Sequence, residues 1–229
     1  ILVSNQENVP EGFPYYGRYI MVSNATEGIG AGVFSNSGYF GSSGKLKGIM
    51  HIPYKHGILY GPFLHELMHC WANYALPSEV GGHWGFMGGN VPAQLGGFLQ
   101  TSLEKNVNGN SNFFRVNNFG PFANGGNSVP YSELELYFMG MIPLSDVRVF
   151  DMIMGIKNVQ LDSQDPSKLL IEADSCVVYD SDKLLGVLGP RNPASSQAQK
   201  KFNALFVILT PNPLSNDESV FFNNAIEES

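Results

Sequence analysis

The chain has 229 residues, of which 43% are hydrophobic and 14% are charged, and its formal net charge is −7. This length allows a domain with a sizeable core, whereas 13 Lys and Arg residues without a basic cluster argue against nucleic acid as a partner. No apolar run is long enough to span a membrane, and two cysteines are too few for a disulfide framework or a four-cysteine zinc site.

The predicted elements of the first half lead to one helix. Aromatic and β-branched stretches broken by Gly and Asn predict three strands, within residues 14–22, 28–40 and 46–53. Gly61-Pro62 begins a helix whose apolar residues recur at helical spacing, and Pro77 requires it to end before that residue, near Ala75. A glycine-rich loop over residues 81–89 follows.

The second half is predicted to be rich in loops, and residues 104–130 are dominated by Asn, Gly, Ser and Phe. A second helix is predicted over 130–140, where Ser132 is a suitable N-cap and Gly140 can end the helix. The remaining predictions are strands at 147–156, 171–179 and 204–209 and helices at 181–185 and 194–202. Without a repeat or a linker, we expect one α+β domain over residues 1–229, with lobes 1–90 and 91–229 around a cleft as a variant.

The segment that carries chemistry is HELMH at residues 65–69 on the first helix. A helix advances about 100° per residue, so His65 and His69 project from one face and can occupy two corners of a zinc tetrahedron. Glu66 can reach a water molecule on the metal without binding the metal itself, and would activate that water as a general base. The structural alternative is a helix with two ordinary hydrogen-bonded histidines, or a similar scaffold without metal.

The third ligand is open to two interpretations. His83 is favoured, because a Pro and two Gly residues before it allow the chain to turn back past the metal. Glu135, in the first turn of the second helix, is the alternative. A hydrogen-bonded loop histidine and a carboxylate favoured by the helix dipole are the corresponding structural explanations. Tyr137 is a candidate donor to a reacting oxyanion, although Tyr is also an ordinary core residue.

With these residues the chain resembles the zincin metallopeptidases, closely over 62–90 and more loosely over 130–143. The resemblance implies a mixed β-sheet packed on the active-site helix, a Zn²⁺ cofactor, and a protein or peptide substrate. The metzincin pattern HExxHxxGxxH is not followed, because residues 72 and 75 are both Ala. Gluzincins use a Glu on a second helix, the role that Glu135 would fill. The chain is also similar to bacterial secreted proteins that combine HELxHxW, a later His-Trp, (E/D)LYxMG and Gly-Pro-Arg.

Three functions are therefore considered. The first is a zinc endopeptidase in which Glu66 activates the water, and the second is a zinc amidase acting on non-peptide substrates. The third is a secreted binding or adhesion module on a zincin-like scaffold, since the loops at 104–130 would suit glycan or protein binding. Few Lys residues and many Asn and Gly residues favour secretion, and we expect a monomer. Cys70 and Cys176 could be paired or free.

Overall fold

A computed structural model describes residues 1–229 and shows a mixed α+β fold with two four-stranded sheets, two two-stranded sheets and five α-helices. The strands are β1 (Leu2–Ser4), β2 (Arg18–Met21), β3 (Ser23–Asn24), β4 (Phe34–Ser35), β5 (Gly48–Ile52), β6 (Gly88–Gly89), β7 (Phe98–Leu99), β8 (Glu104–Lys105), β9 (Phe113–Asn117), β10 (Phe150–Leu161), β11 (Lys168–Tyr179) and β12 (Val207–Leu209). The helices are α1 (Gly57–Tyr60), α2 (Phe63–Met68), α3 (Glu133–Met139), α4 (Ser181–Leu188) and α5 (Asn216–Glu228).

The first four-stranded sheet has the order β12-β1-β5-β2. Its strand β1 runs parallel to both β12 and β5, whereas β2 is antiparallel to β5 and forms an edge. Alternate residues Val3, Met50 and Ile52 point to one face, where they pack with residues of α1, α2 and α5 in a buried apolar cluster. This packing places α2 beneath the sheet, close to its edge strand β2.

The second sheet is fully antiparallel, in the order β10-β11-β9-β8. The apolar side chains of β9, β10 and β11 form a cluster that includes Phe114, Ile153 and Ile171. A larger cluster joins the end of α2 to α3 and to β10, through residues such as Met68, Trp84 and Phe138. The segment between the two sheets is therefore held by core packing, and the candidate site lies there.

The structure corrects several element boundaries. The helix α2 ends at Met68 instead of near Ala75. The N–H groups of Cys70 and Trp71 donate three residues back, to Leu67 and Met68, and the tight turns that follow the helix bury Trp71 and Ala75. The three early strands are shorter than the stretches predicted for them. The helix predicted at 194–202 is absent. That segment is irregular, and its Lys200 donates to the carbonyls of Gly140 and Met141 after α3.

The second predicted helix agrees with the structure at both ends. Ser132 caps α3 and forms a capping box with Glu135, and Gly140 takes the left-handed conformation at the C-terminal end. The helix α5 was not predicted. Cys70 and Cys176 are both free thiols. None of the helices is long and apolar enough to cross a membrane.

Candidate metal centre

Two histidines project from the end of α2 toward a common point. His65 lies in the helix, and His69 at its C-cap keeps helical dihedral angles (φ −59°, ψ −12°), so the i, i+4 relation survives the early end of α2. Their ring centroids are 4.8 Å apart, and their Nε2 atoms are 3.2 Å apart. The spacing of the HELMH motif therefore brings the two imidazole nitrogens together as the sequence suggested.

His83 reaches the same point from the glycine-rich loop. Its neighbour Trp84 is buried and anchors the loop, since its indole N–H donates to Ala72 and its backbone N–H donates to Leu95. The ring of His83 stacks on that of His65, and the two Nε2 atoms are 3.2 Å apart. The ligating atoms of the three histidines all lie within 4.8 Å of one another, and this group could hold a metal ion.

The other ring nitrogen of each histidine has an oxygen acceptor. Nδ1 of His65 is 2.6 Å from the Gln94 carbonyl, and Nδ1 of His83 is 3.0 Å from the Gly81 carbonyl. Nδ1 of His69 is hydrogen-bonded to the side-chain oxygen of Asn73. An acceptor at Nδ1 places the proton of a neutral imidazole on that atom. The three Nε2 atoms then face one another with lone pairs, an arrangement that a shared cation would stabilise.

The distances fit a first-row metal. Two nitrogens bound to Zn²⁺ at about 2.0–2.1 Å in a tetrahedral arrangement are separated by about 3.3 Å. The two measured Nε2 separations of 3.2 Å are close to this value. Burial lowers the pKa of His65 to about 4 and that of His69 to about 3, and it also lowers the pKa of His83. All three imidazoles are therefore neutral near pH 7, the form that binds metals.

Glu66 lies next to this group but outside it. Its side chain is buried beside Gly17, where a Cβ atom would come within 2.6 Å of the Glu66 Cγ, so only glycine allows the chain to pass there. Burial raises the pKa of Glu66 to about 7, while the backbone N–H of Tyr19 on β2 acts in the opposite direction. A carboxylate with a pKa near neutrality is suited to taking and returning a proton.

Glu135 is committed to other partners. Its Oε2 accepts from the backbone N–H of Ser132 at 2.7 Å, and its Oε1 accepts from the backbone N–H of Leu95 at 3.1 Å. The peptide group between Gln94 and Leu95 connects Glu135 to His65. Its N–H donates to Glu135, and its carbonyl accepts from His65. The structure thus places Glu135 behind the peptide that orients His65, and the group of converging ligand atoms is made of His65, His69 and His83.

Tyr137 lies on another side of α3. It follows Glu135 by two residues, which turns its side chain by about 200°. It packs beside Phe138 in the core, and its hydroxyl lies at the backbone of Arg191. No hydrogen bond or ring contact joins Tyr137 to the three histidines, and its role as an oxyanion donor stays a prediction.

The structure adds residues that the sequence did not indicate. Gln94 and Asn73 orient the two histidines of α2, and the exposed ring of Phe122 contacts His83 edge-on at 5.2 Å. Asn73 has a readable signal, because it follows His69 by four residues. Gln94 acts through its backbone carbonyl and Phe122 through a distant loop, and neither arrangement leaves a pattern in the sequence.

Comparison with protein-family models, with curated proteins and with solved structures gives no match. The function of the chain is therefore inferred from the geometry of the three histidines and of Glu66.

Proposed function

We propose that the chain is a zinc-dependent peptide hydrolase with a zincin-like site, in which His65, His69 and His83 bind the metal. The observation that carries this proposal is the convergence of three Nε2 atoms whose Nδ1 partners are all oxygen acceptors. Oxygen acceptors that orient the metal-binding histidines through their other ring nitrogen are typical of protein metal sites. Their all-nitrogen chemistry suits zinc better than magnesium or calcium, which prefer oxygen ligands.

The number of ligands favours catalysis over a structural or binding role. Structural zinc sites are closed by four protein ligands, whereas catalytic sites have three and leave a position for water or substrate. The group contains three histidines and no fourth His, Cys, Asp or Glu. This count supports an enzyme in preference to an adhesion module on the same scaffold.

When bound, zinc supplies a Lewis acid that polarises a carbonyl and makes water more acidic. Glu66 takes the proton of the attacking water and passes it to the leaving amine, a transfer for which a pKa of about 7 is favourable. The backbone N–H of Tyr19 favours the charged form of Glu66, the form that takes the proton. Gln94 and Asn73 keep the Nε2 atoms of His65 and His69 directed at the metal position.

The edge strand β2 favours a peptide as substrate. It forms the end of its sheet, so its outer side can pair with an extended chain, a common mode of peptide recognition. The same strand carries Tyr19, whose N–H faces Glu66. On the other side of the site, Phe122 is 59% exposed and lies against His83, where it offers an apolar surface for a side chain of the peptide.

The decisive test replaces Glu66 by Gln. The variant has the same shape and leaves the three histidines intact, so we expect zinc content and thermal stability to be preserved. Loss of a general base costs about 10²–10⁴ in rate, and hydrolysis of casein or of a peptide library should fall by that factor. Glu228→Gln, at the exposed end of α5, is the matched control and should retain full activity. Full activity in Glu66→Gln would refute the mechanism.

The substrate class is tested with the same protein. The wild type is assayed, with and without a zinc chelator, on a peptide library and on a set of non-peptide amides. We expect cleavage of peptides that the chelator abolishes and added zinc restores. Cleavage of the non-peptide amides alone would reject the peptidase and favour the zinc amidase. Tight zinc binding without any hydrolysis would favour the binding module.

A further inference from the structure

A cavity separate from the three histidines lies behind the end of α2. Its volume is about 120 Å³, and Cys70 and Trp71, which follow His69, form part of its wall. Other parts of the wall come from β3, from Lys47 before β5, and from Arg191. Four segments that are distant in sequence therefore meet around one small space.

The wall of this cavity carries positive charge without any acidic residue. Arg191 and Lys47 both line it, and its eleven lining residues include no Asp or Glu. Neither cation takes part in a salt bridge. Arg191 is only 8% exposed, and buried charges in proteins are ordinarily paired. In a chain whose net charge is −7, two cations without an acidic partner at one cavity require an explanation.

The helix α3 explains Arg191 only in part. The Arg191 Nε donates to the Phe138 carbonyl at 3.0 Å, and one terminal nitrogen donates to the Pro193 carbonyl. These bonds use two of the five N–H donors of the guanidinium, and carbonyl dipoles supply no full counter-charge. They also leave Lys47 without a role. Burial lowers the pKa of Arg191, as expected for a cation that lacks an anionic neighbour.

We propose that this cavity binds a small oxyanion, a carboxylate or a phosphate, between Arg191 and Lys47. The guanidinium offers paired donors that match two oxygens of such a group, and the ammonium adds a second positive charge. Thr26, whose side chain carries a hydroxyl donor, is also among the lining residues. A volume of about 120 Å³ exceeds the roughly 10–15 Å³ of such space that one water needs, so the cavity has room for a small oxyanion.

Binding at this position should stabilise the fold. The anion would connect β3, the start of β5, the end of α2 and the segment around Arg191, all of which separate on unfolding. A ligand that binds only the folded chain raises the melting temperature in a saturable way. The site does not depend on the proposed hydrolase function, because no histidine of the metal group lines the cavity.

The test measures the melting temperature during titration with sodium phosphate and, separately, with sodium acetate, at constant ionic strength set by sodium chloride. We expect a saturable increase of several degrees with at least one of them. Phosphate alone would identify a tetrahedral anion as the ligand class, and acetate alone would identify a carboxylate. No increase with either anion would overturn the proposal.

Three variants locate the effect. Lys47→Gln should lose most of the increase, whereas Lys45→Gln, at an exposed lysine that does not line the cavity, should retain it. Lys47→Gln leaves the Arg191 hydrogen bonds in place, so the variant should fold. An undiminished increase in its melting temperature would overturn the proposal. His83→Ala should also retain the increase. Loss of the increase in His83→Ala would place the anion at the metal position, and this result would also overturn the proposed anion site.

Discussion

Replacement of Glu135 by Gln tests whether this carboxyl group is held in the buried, desolvated state that the structure describes. Glu135 is fully buried in α3, and its carboxylate meets the N–H groups of Ser132 and Leu95. Desolvation raises its pKa to about 7, although these N–H groups favour the charged form. The substitution keeps the shape of the side chain and removes its ionisation.

The pH dependence of folding follows from the direction of this change. The pKa of Glu135 is raised in the folded chain from its ordinary value of 4.5, so the folded state holds the proton more tightly than the unfolded state. The resulting stabilisation is complete below about pH 4.5 and is lost as the pH rises through about 7. A rise in the pKa of Glu135 from 4.5 to about 7 corresponds to roughly 3 kcal/mol of unfolding free energy.

The assay is urea unfolding of the metal-free protein at pH 5, 6, 7 and 8. The free energy of unfolding of the wild type, minus that of Glu135→Gln, should fall by about 2–3 kcal/mol across this range. Taking the difference cancels the contributions of Glu66 and of the histidines. Parallel profiles for the two proteins would refute the reasoning, because Glu135 would then ionise with the same pKa in the folded and unfolded chains.

Glu133→Gln is the matched control. Glu133 lies in the same first turn of α3, but its carboxylate pairs with Arg148 at the surface, and this pair lowers its pKa. A group with a lowered pKa stabilises the fold above its ordinary pKa, and this stabilisation is lost only as the pH falls below it. The control should therefore differ from the wild type by about 0–1 kcal/mol, with no change between pH 5 and 8.

Three further predictions concern the metal site. His83→Ala should weaken zinc binding by at least about 100-fold in a chelator competition, more than the loss of an orienting residue, and an affinity equal to that of the wild type would remove His83 from the ligand set. Tyr137→Phe should leave kcat essentially unchanged, whereas a fall of about 10²–10³ would restore this residue as an oxyanion donor. Phe122→Ala should raise KM for peptides by roughly 3- to 10-fold with little change in kcat, and an unchanged KM would show that the exposed ring does not contact substrate.

The parts of the structure that local patterns determine could be predicted. The alignment of His65 with His69 follows from helical spacing, and the ends of α3 follow from Ser132 and Gly140. The helix α5 also has such a signal, since Ser215 and Glu218 form a capping box. That signature is present in the sequence, so the start of α5 is among the features that a local pattern can predict.

The remaining features arise from contacts between distant segments. The turns after α2 are held by a distant segment, since the Trp84 indole N–H donates to the carbonyl of Ala72. The support of His65 depends on a peptide group held by Glu135, and the contact of Phe122 with His83 depends on a loop. The helix dipole accounts for a carboxylate in the first turn of α3, where Glu135 lies. The burial of Glu135 against residues 94–95 depends on tertiary packing. Periodicity and propensity carry no information on such contacts.

Asn73 offers the most direct test of how the ligands are oriented. His65 and His83 donate to backbone carbonyls, which substitution leaves in place, whereas His69 donates to the side chain of Asn73. Asn73→Ala frees the His69 ring to rotate, so zinc binding should weaken by about 10-fold, at the low end of the effect of such residues. Asn73 is only partly buried, and the fold should tolerate the change.

Asn73→Asp separates orientation from simple packing. A carboxylate at the same position accepts the Nδ1 proton more strongly and increases the basicity of the Nε2 that faces the metal. Zinc affinity in Asn73→Asp should therefore equal or exceed that of the wild type, while Asn73→Ala falls below it. An affinity above that of the wild type in Asn73→Asp is specific to a residue that acts through His69. Asp and Asn have nearly the same shape, so a role in packing alone would leave these two proteins equal and weaken only Asn73→Ala. Equal affinities in all three proteins would show that His69 is oriented by the backbone of α2 without help from residue 73.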